Sequence, residues 1–345
     1  MSKPMNITVV VMSYQAWKHP RAIKIARTLA RSGYKVKMWG TRKPFQKGPR
    51  IMRGLLNYIF AMIETLTVKG DIYWVENVPD IIYITLPLLH RKYVYDRRSP
   101  WAKQLTVEIG LPYKVGRILE LVERYLIAKS IAVAVASTPM KYEFKYDASK
   151  PLVVIPNYPE KSFYKPNVKP MRETLGIPGT TKIFGFIGKL SKMEGVDLLK
   201  DVPRALEGTD SELWIIGDGP LSGLVKRMAE KYSNVRWFGW IDRRELPKYL
   251  ASLNYGLVPR HRNPFHIFYN HEGIHKIGEY LAYKIPVITC GIADSPYYYN
   301  TDPALFTDVI SKIARDEIRL ERPIAGLYWE QIASRVTGLT RSLLE

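Results

Sequence analysis

The sequence predicts an α/β protein built from two doubly wound domains with parallel sheets. Its 345 residues exceed the size at which a single hydrophobic core stops growing, so two domains are expected. Continuous apolar runs of strand length alternate with segments of helical apolar spacing, which is typical of parallel sheets covered by helices. This pattern begins at Ile7 and begins again near Ile183, after a segment rich in Pro, Lys and Asn that has the composition of a linker.

The composition is that of a folded globular protein with a large excess of positive charge. Hydrophobic residues make up 46% of the chain and charged residues 24%. Lys and Arg number 52 against 32 Asp and Glu, which gives a net charge of +20. An anionic partner is therefore expected, and charge alone leaves lipid headgroups, nucleotide diphosphates and nucleic acid open.

Cysteine usage and the lengths of the apolar runs bound the location of the protein. The single cysteine, Cys290, excludes an internal disulfide framework and fits a reducing compartment. The apolar runs at 7–12 and 81–89 are too short or too interrupted for a signal peptide or a membrane span. We therefore expect a cytoplasmic protein, and the positive charge leaves a peripheral position on the inner face of the membrane open.

The first half of the chain predicts a βαβ start followed by further strands and helices. The run at 7–12 predicts a buried parallel strand, and a helix is predicted to begin at Pro20 and to stop at Gly33 before the second strand. No G-x-G-x-x-G motif follows, so a dinucleotide-binding fingerprint is not predicted. Further strands are predicted at 71–76, 91–96 and 131–137, and further helices at 78–90 and 117–130.

Two segments of this half are candidates for function. Residues 50–68 carry apolar side chains at helical spacing, which predicts a core-facing helix; Arg50 and Arg53 at its start leave a membrane-surface helix as the alternative. Asp96 ends a predicted strand, where doubly wound sheets hold their ligands, so it is a candidate for an acceptor-side or catalytic role. The apolar residues of 50–68 are Ile51, Leu55, Ile59, Met62, Ile63 and Leu66.

In the second half, glycines follow the predicted strands. Gly188 ends the run I-F-G-F-I-G and would let the backbone approach a diphosphate, with Lys189 supplying positive charge. A tight turn beside a surface lysine is the alternative. Gly217 ends the next predicted strand and is assigned to the same site. Trp240 follows a third strand, where it would either stack on a nucleobase or pack in the core.

The stretch 270–291 reads as a polar loop, a short helix and a buried strand. A break at Gly278, and Pro286 beyond the helix, place Glu279 near the helix start. An ionised Glu at this point would accept two hydroxyls of a vicinal diol, and the positive end of the helix favours phosphate. Ordinary helix capping by Glu279 is the alternative.

The run E-Y-L-A-Y-K-I-P-V-I at 279–288 resembles the signature of the GT-B glycosyltransferases of family 4. The segments H-P-R-A-I-K-I-A-R, L-V-V-I-P-N-Y-P and I-F-G-F-I-G-K-L resemble other segments of that family, in the same order along the chain. The resemblance implies two Rossmann-like domains that face a cleft. It assigns an acceptor-side domain to 1–165, a nucleotide-sugar-binding domain to 166–325, and a last helix that crosses back to the first domain to 326–345.

The signature also departs from the family pattern. Lys284 replaces the usual Gly, and His271 stands where the motif has the first of two glutamates, with Glu272 one position nearer. Lys276 matches the lysine of the P-x-K-x-x-E-Y variant found in some members. One of the two carboxylates is therefore shifted or missing.

The diphosphate turn departs from the family's G-R-L-x-x-x-K-G pattern as well. Lys189 takes the place of the Arg, and Glu194 takes the place of the second Lys. A carboxylate aimed at a diphosphate would repel it. We therefore expect a cation from elsewhere to supply the missing charge, and the candidates are Lys192, Arg260 and Arg262.

The resemblance implies transfer of a hexose from a UDP- or GDP-sugar, with retention at the anomeric carbon. Gly188 and Lys189 would contact the diphosphate, Glu279 the ribose, and His271 or Glu272 the transferred sugar. The sequence has no D-x-D motif and no His or Cys cluster with metal spacing, so neither a metal nor another cofactor is expected. Basic side chains would instead stabilise the leaving diphosphate.

The acceptor class is inferred from charge and from a few apolar and aromatic residues. The basic balance, the stripe at 50–68, Trp17 and Trp101 favour a glycolipid or polysaccharide acceptor at an anionic membrane surface. A family member that has lost activity is one alternative, because of Glu194 and the shifted Glu272. A nucleic-acid-binding protein is the other; only charge favours it, and no RNP, KH or zinc pattern is present, so a nucleic-acid partner is not expected.

Overall fold

The computed structural model describes residues 6–108, 112–143 and 149–344. The chain divides into two units: unit 1 is Met1–Asn157 with Glu330–Glu345, and unit 2 is Tyr158–Trp329. The chain thus changes unit near 157 and 329, a few residues from the boundaries at 165 and 325 that the sequence analysis assigns. The last residues of the chain belong to the same unit as the first half.

Strands and helices alternate through both units. The strands are β1 (Thr8–Met12), β2 (Lys35–Trp39), β3 (Ile72–Glu76), β4 (Tyr93–Arg97), β5 (Ala132–Val135), β6 (Leu152–Val154), β7 (Lys182–Ile187), β8 (Ser211–Ile216), β9 (Val235–Trp237), β10 (Tyr255–Val258), β11 (Val287–Cys290) and β12 (Tyr299–Thr301). The helices are α1 (Pro20–Arg31), α2 (Arg50–Thr67), α3 (Thr85–Leu88), α4 (Trp101–Glu108), α5 (Tyr113–Lys129), α6 (Met171–Thr174), α7 (Val202–Ala205), α8 (Ser222–Lys231), α9 (Leu246–Leu250), α10 (His275–Ala282), α11 (Phe306–Ala314) and α12 (Ala333–Ser342).

Each unit contains one parallel sheet, and the predicted pair of doubly wound sheets is confirmed. Among the described residues, the strand order is β2-β1-β3-β4-β5-β6 in unit 1 and β12-β11-β10-β7-β8-β9 in unit 2. All pairings are parallel. From β1, the chain adds β2 on one side and then β3, β4, β5 and β6 on the other, so the order of addition reverses between β1 and β3. In unit 2, the same reversal lies between β7 and β10. In sheets of this kind, ligands bind beyond the carboxyl ends of the strands at such a reversal.

The cores follow from the apolar strands and from one side of most helices. In unit 1, the β-branched run Val9–Val11 of β1 has no exposed surface, and Val336 and Leu339 of α12 are buried where that helix packs on α1 and β6. In unit 2, the strands and α11 share one core that includes Phe184, Leu213, Ile288 and Ile310. The central strands of both sheets are therefore buried on their two sides, as is typical of parallel sheets.

Two predictions for unit 1 are wrong. The segment 78–90 is not one helix but a 3-10 turn at Asp80–Tyr83 followed by the four-residue α3, because Pro87 has no N–H to donate to the carbonyl of Tyr83. The helix at 50–68 forms as α2, but its large apolar side chains are exposed and do not face the core.

Candidate functional site

The loops that follow β7 and β8 meet backbone to backbone at the carboxyl edge of the unit 2 sheet. A Cβ atom on Gly217 would lie 1.8 Å from the carbonyl oxygen of Gly188. The two residues have φ angles of +140° and +146°, which side chains disfavour. Both predicted glycines are therefore required by this close approach. The loop after β7 lies at the reversal between β7 and β10, and the loop after β8 packs against it.

Three charged side chains form an ion cluster at this edge. Glu194 accepts from Arg260 Nη2 through Oε1 and from Lys276 Nζ through Oε2, each at 2.7 Å. Burial alone would raise the pKa of Glu194, but the charges of Arg260 and Lys276 outweigh it and lower the pKa to about 2. The carboxylate is therefore ionised at neutral pH and held between two cations.

This pairing corrects the expectation that Glu194 would repel a diphosphate. One negative charge faces two positive charges in the cluster, and the nearby Lys189 also lowers the pKa of Glu194. Positive charge is therefore in excess beside Gly188. Of the three predicted replacement cations, Arg260 joins the cluster, whereas Lys192 and Arg262 are exposed. Lys276, assigned to the donor site from the motif variant, supplies the second cation.

Lys276 lies directly over the glycine turn. A Cβ on Gly188 would be 2.8 Å from Lys276 Nζ, so the ammonium group sits over backbone. The same ammonium group lies 4.2 Å from the ring centroid of Phe186, and the guanidinium of Arg260 lies 4.7 Å from that of Tyr269. These aromatic faces stabilise the two cations where they are partly removed from water.

Glu279 does not lie at the start of its helix, and this prediction is wrong. α10 begins at His275, so Glu279 is in the second turn. A residue in the second turn cannot cap the helix start, so the capping alternative is excluded as well. Gly278 lies inside the helix, where a Cβ would be 2.9 Å from Pro159 Cδ; the glycine permits close packing and does not break the helix. Glu279 is only 7% exposed and accepts from Arg243 Nη1 at 2.8 Å.

Trp240 is a surface residue, which excludes the core alternative. It is 80% exposed, and the residue before it, Gly239, accepts a hydrogen bond from the N–H of Gly217 at 2.7 Å. The indole therefore stands on a loop joined to the glycine turn after β8. A flat aromatic surface at this position is available for stacking.

His271 and Glu272 precede α10 and are held by different groups. The Nδ1 atom of His271 lies 2.8 Å from the hydroxyl of Ser295, and its ring lies 4.4 Å from that of Tyr297. Burial lowers the pKa of His271, while the charge of Glu272 opposes this effect, so the imidazole is neutral at pH 7. Glu272 Oε2 accepts from the side-chain amide of Asn270 at 3.2 Å. Both residues therefore have fixed positions beside the helix that carries Glu279.

Asp96, the predicted acceptor-side residue, is buried in unit 1. Its two carboxylate oxygens accept from Arg21 at 2.8 and 2.6 Å, and Oδ2 also accepts from Trp74 Nε1 at 3.1 Å. Arg21 in turn donates to the carbonyl of Ile155 and to Asn157. Asp96 has no exposed surface, and Arg21 and Trp74 occupy its two oxygens, so this geometry supports a structural role.

The reversal between β1 and β3 in unit 1 carries a cluster that the sequence analysis missed. Glu76, the last residue of β3, is fully buried, and His19 Nδ1 lies 2.6 Å from its Oε1. Arg98 contacts the other ring nitrogen of His19. His19 and Arg98 are partly exposed, so a hydroxyl or anionic group at this edge would meet them. In the sequence, this cluster is marked only by Glu76, the acidic residue that ends the apolar run at 72–76. The strand order is needed to place Glu76 at the reversal.

Replacing Glu76 tests the electrostatics of this cluster. Burial alone would raise the pKa of Glu76, but Arg98 and His19 outweigh burial and lower it from 4.5 to about 2. Because the pKa is lower in the folded state than in the unfolded state, ionised Glu76 adds about 3 kcal/mol to the free energy of unfolding above pH 4.5. This contribution is lost as the pH falls from 4.5 to 2. Urea unfolding should therefore show Glu76→Gln destabilised at pH 7 and close to wild type near pH 2. Glu245→Gln, in an exposed pair with Lys248, is the control; an equal loss in both variants would contradict the prediction.

Comparison with known proteins identifies the second unit and the fold. Residues 167–302 match the family described as glycosyl transferases group 1. Within the described residues, no group of three or more His, Cys, Asp or Glu side chains is placed to hold a metal ion. A curated relative, an uncharacterized 41.2 kDa protein in the cps region of Klebsiella pneumoniae, is 30% identical over 111 residues; the match spans 32% of this chain and 28% of that protein.

Three solved structures share the fold over nearly the whole chain. Sucrose-phosphate synthase from Thermosynechococcus elongatus has a TM-score of 0.71 at 16% identity, with 98% of this chain and 99% of that chain covered. Anabaena HepE in complex with UDP and glucose has a TM-score of 0.65 at 13% identity, with 98% of both chains covered. WaaG, a glycosyltransferase involved in lipopolysaccharide biosynthesis, has a TM-score of 0.63 at 14% identity, with 96% of this chain and all of that chain covered.

The family match covers the glycine turns, the ion cluster and Glu279, and the structural matches extend the fold to unit 1. The resemblance seen in the sequence is thereby confirmed. Unit 2 therefore contains a glycosyl transferases group 1 domain, and the chain as a whole has the fold of the solved glycosyltransferase structures named above.

Proposed function

We propose that this chain transfers a hexose from a uridine diphosphate sugar to a polysaccharide or lipid-linked acceptor. The observation that carries the proposal is the pair of cations, Arg260 and Lys276, held by Glu194 over the Gly188 turn. The choice of UDP is supported by the HepE complexes with UDP and with UDP-glucose. The choice of acceptor is supported by the cps-region relative and by the role of WaaG in lipopolysaccharide biosynthesis.

The diphosphate would bind mainly through charge. The N–H of Gly188 donates to the carbonyl of Ile216 at 2.9 Å, so this amide is already used within the sheet edge. The small turn instead leaves room for phosphate oxygens beside Lys276 and Arg260. Negative charge builds up on the β-phosphate as its bond to the anomeric carbon breaks, and two positioned cations would stabilise that charge without rearranging.

Glu194 would act as the positioning group for both cations. A carboxylate that accepts from two side chains fixes both heads, and it cancels only one of their two charges. Because one carboxylate oxygen serves each cation, Arg260 and Lys276 are held side by side. The residue that breaks the family pattern at position 194 thus becomes part of the diphosphate site.

The nucleoside would bind between Glu279 and Trp240. Two ribose hydroxyls can donate to the Glu279 carboxylate, and the uracil ring can stack on the exposed indole of Trp240. Arg243 would have to release Glu279, and its own side chain, which is 52% exposed, could then turn into solvent. The buried carboxylate would exchange the guanidinium for the two ribose hydroxyls.

A thermal-shift panel tests the donor proposal first. UDP and UDP-glucose should raise the Tm at both low and moderate salt, because only ligands of the native state stabilise it, while ADP and GDP should give smaller shifts. The shift should be lost in Glu279→Ala. Stabilisation by no nucleotide, or by nucleotides of all bases only at low salt, would contradict the proposal and favour a degenerate enzyme or a nucleic-acid-binding protein.

The sugar contact separates His271 from Glu272. We expect His271→Ala to remove the additional stabilisation that UDP-glucose gives over UDP, because His271 takes the position of the first motif glutamate, while the shift with UDP is unchanged. Glu272→Gln is the matched comparison and should retain the difference. The opposite result, with the loss in Glu272→Gln alone, would assign the sugar contact to the shifted glutamate.

A further inference from the structure

The apolar side of α2 faces away from unit 1. Of its described side chains, seven large apolar ones are between 37% and 88% exposed. At 100° per residue, these positions fall within an arc of roughly 140° on the helix surface. They are Ile51, Met52, Leu55, Leu56, Ile59, Ile63 and Leu66.

The buried side of α2 is polar or small, and Tyr58 and Phe60 flank it in edge contacts with Tyr14 and Phe45 of unit 1. Asn57, Ala61 and Thr65 are buried. The Asn57 side chain donates to the carbonyl of Phe45 at 2.9 Å and accepts from its N–H at 3.1 Å, and the hydroxyl of Thr65 contacts that of Thr85. Hydrogen bonds, small residues and two aromatic edge contacts attach the helix, while its large aliphatic side chains lie on the opposite side. A helix that packs on a core has the reverse arrangement.

The charges around α2 are almost all positive. Its only acidic residue is Glu64, whose two oxygens accept from Thr41 at 2.8 Å and from Arg42 at 2.9 Å. Arg91 donates to the carbonyls of Thr65 and Leu66 at the end of the helix. With Lys47 and Arg53 near its start, the helix has cations at both ends and an apolar side between them.

We propose that α2 docks in the plane of a membrane surface rich in anionic phospholipid. Its exposed aliphatic side chains would enter the boundary between headgroups and acyl chains, and the flanking cations would contact the phosphates. At 18 residues, α2 is about 27 Å long and would lie along the surface. No helix in the described part of the chain has the length and apolar content to cross a bilayer.

The charge pattern favours lipid over a second copy of this chain. Two copies joined through α2 would bring the same cations close together, which costs energy, whereas an anionic surface attracts them. Docking requires no sugar donor, so it can be measured separately from the proposed transfer reaction.

A fluorescent probe on α2 tests the contact directly. Burial raises the pKa of Cys290 to about 12 and shields its thiol, so Leu55→Cys introduces a thiol that an iodoacetamide derivative of nitrobenzoxadiazole labels selectively. Emission from this probe should increase and shift to the blue with phosphatidylglycerol vesicles and stay unchanged with phosphatidylcholine vesicles. The control is Ile324→Cys in unit 2, at a side chain that is 94% exposed, where no change is expected.

A neutral triple variant separates apolar insertion from charge. Ile51→Gln, Leu55→Gln and Ile59→Gln together should weaken partitioning onto phosphatidylglycerol vesicles at least tenfold, while the UDP-induced thermal shift and the circular dichroism spectrum stay unchanged. Partitioning equal to wild type would overturn the proposal. Unchanged emission from the probe at position 55 would also overturn it. A third contrary outcome is sedimentation in which the wild-type chain is a dimer and the triple variant a monomer, because α2 would then be an interface between copies.

Discussion

Replacing both Arg260 and Lys276 with alanine is expected to weaken binding of UDP and UDP-glucose at least about 100-fold, because hydrogen bonds to charged groups contribute roughly 1.5 to 3 kcal/mol each. The two cations flank Glu194 beside the Gly188 turn. The family pattern has a Lys at position 194, so here Arg260 and Lys276 supply the positive charge instead. Isothermal titration calorimetry with UDP measures the loss. Lys192→Ala is the control, since Lys192 is exposed and should keep wild-type affinity.

The double variant also leaves Glu194 without its two cations, so loss of folding must be separated from loss of binding. Adding Glu194→Ala removes the uncompensated carboxylate and should restore the Tm without restoring UDP affinity. If UDP affinity returns in the triple variant, electrostatic repulsion by Glu194, and not the loss of the cations, explains the defect. Near-wild-type affinity in the double variant would reject the proposed diphosphate site.

Replacing Asp96 with alanine is expected to destabilise unit 1 by roughly 3 to 5 kcal/mol, because it leaves the buried guanidinium of Arg21 without its carboxylate. This corresponds to a fall in the Tm of unit 1 of about 10 °C. The pair has no exposed surface on either side chain. Differential scanning calorimetry measures the effect, and Asp242→Ala, which breaks the exposed pair with Arg244, should change the Tm by little.

The same variant decides between the two roles considered for Asp96. A structural residue predicts a lower Tm with an unchanged UDP-induced shift and normal turnover below the melting range. An acceptor-side catalytic residue predicts the reverse: a Tm close to wild type and lost turnover with UDP binding intact. The second pattern would show that Arg21 releases Asp96 during the reaction.

Local patterns in the sequence predicted most strands and the glycine turns, because those features depend on neighbouring residues. They named Arg260 and Lys276 as candidate cations but did not pair them with Glu194, since these partners are 66 and 82 positions away from it. A motif compares one short segment at a time, so it showed a carboxylate where a lysine is usual. It could not show that the loop after β10 and the helix α10 each bring a cation to that carboxylate. The partner of Asp96, Arg21, is 75 positions away and was missed for the same reason.

The error at α2 has another cause. Helical periodicity identified the apolar side of residues 50–68, but it does not say which side of a helix faces the protein. The buried positions Asn57, Ala61 and Thr65 are too small or too polar to mark a core in the sequence. The packing side of α2 was therefore predicted from hydrophobicity alone. That criterion chose the apolar side, which faces away from unit 1.

The placement of α12 in unit 1 fixes an order of events during synthesis. α12 packs on α1 and β6, and Arg335 donates to the carbonyl of Val154 at 2.9 Å. The ribosome makes all of unit 2 between these two parts of unit 1. The unit whose synthesis starts first is therefore completed last, and until α12 emerges the nascent chain exposes the apolar surface of α1 that α12 later covers.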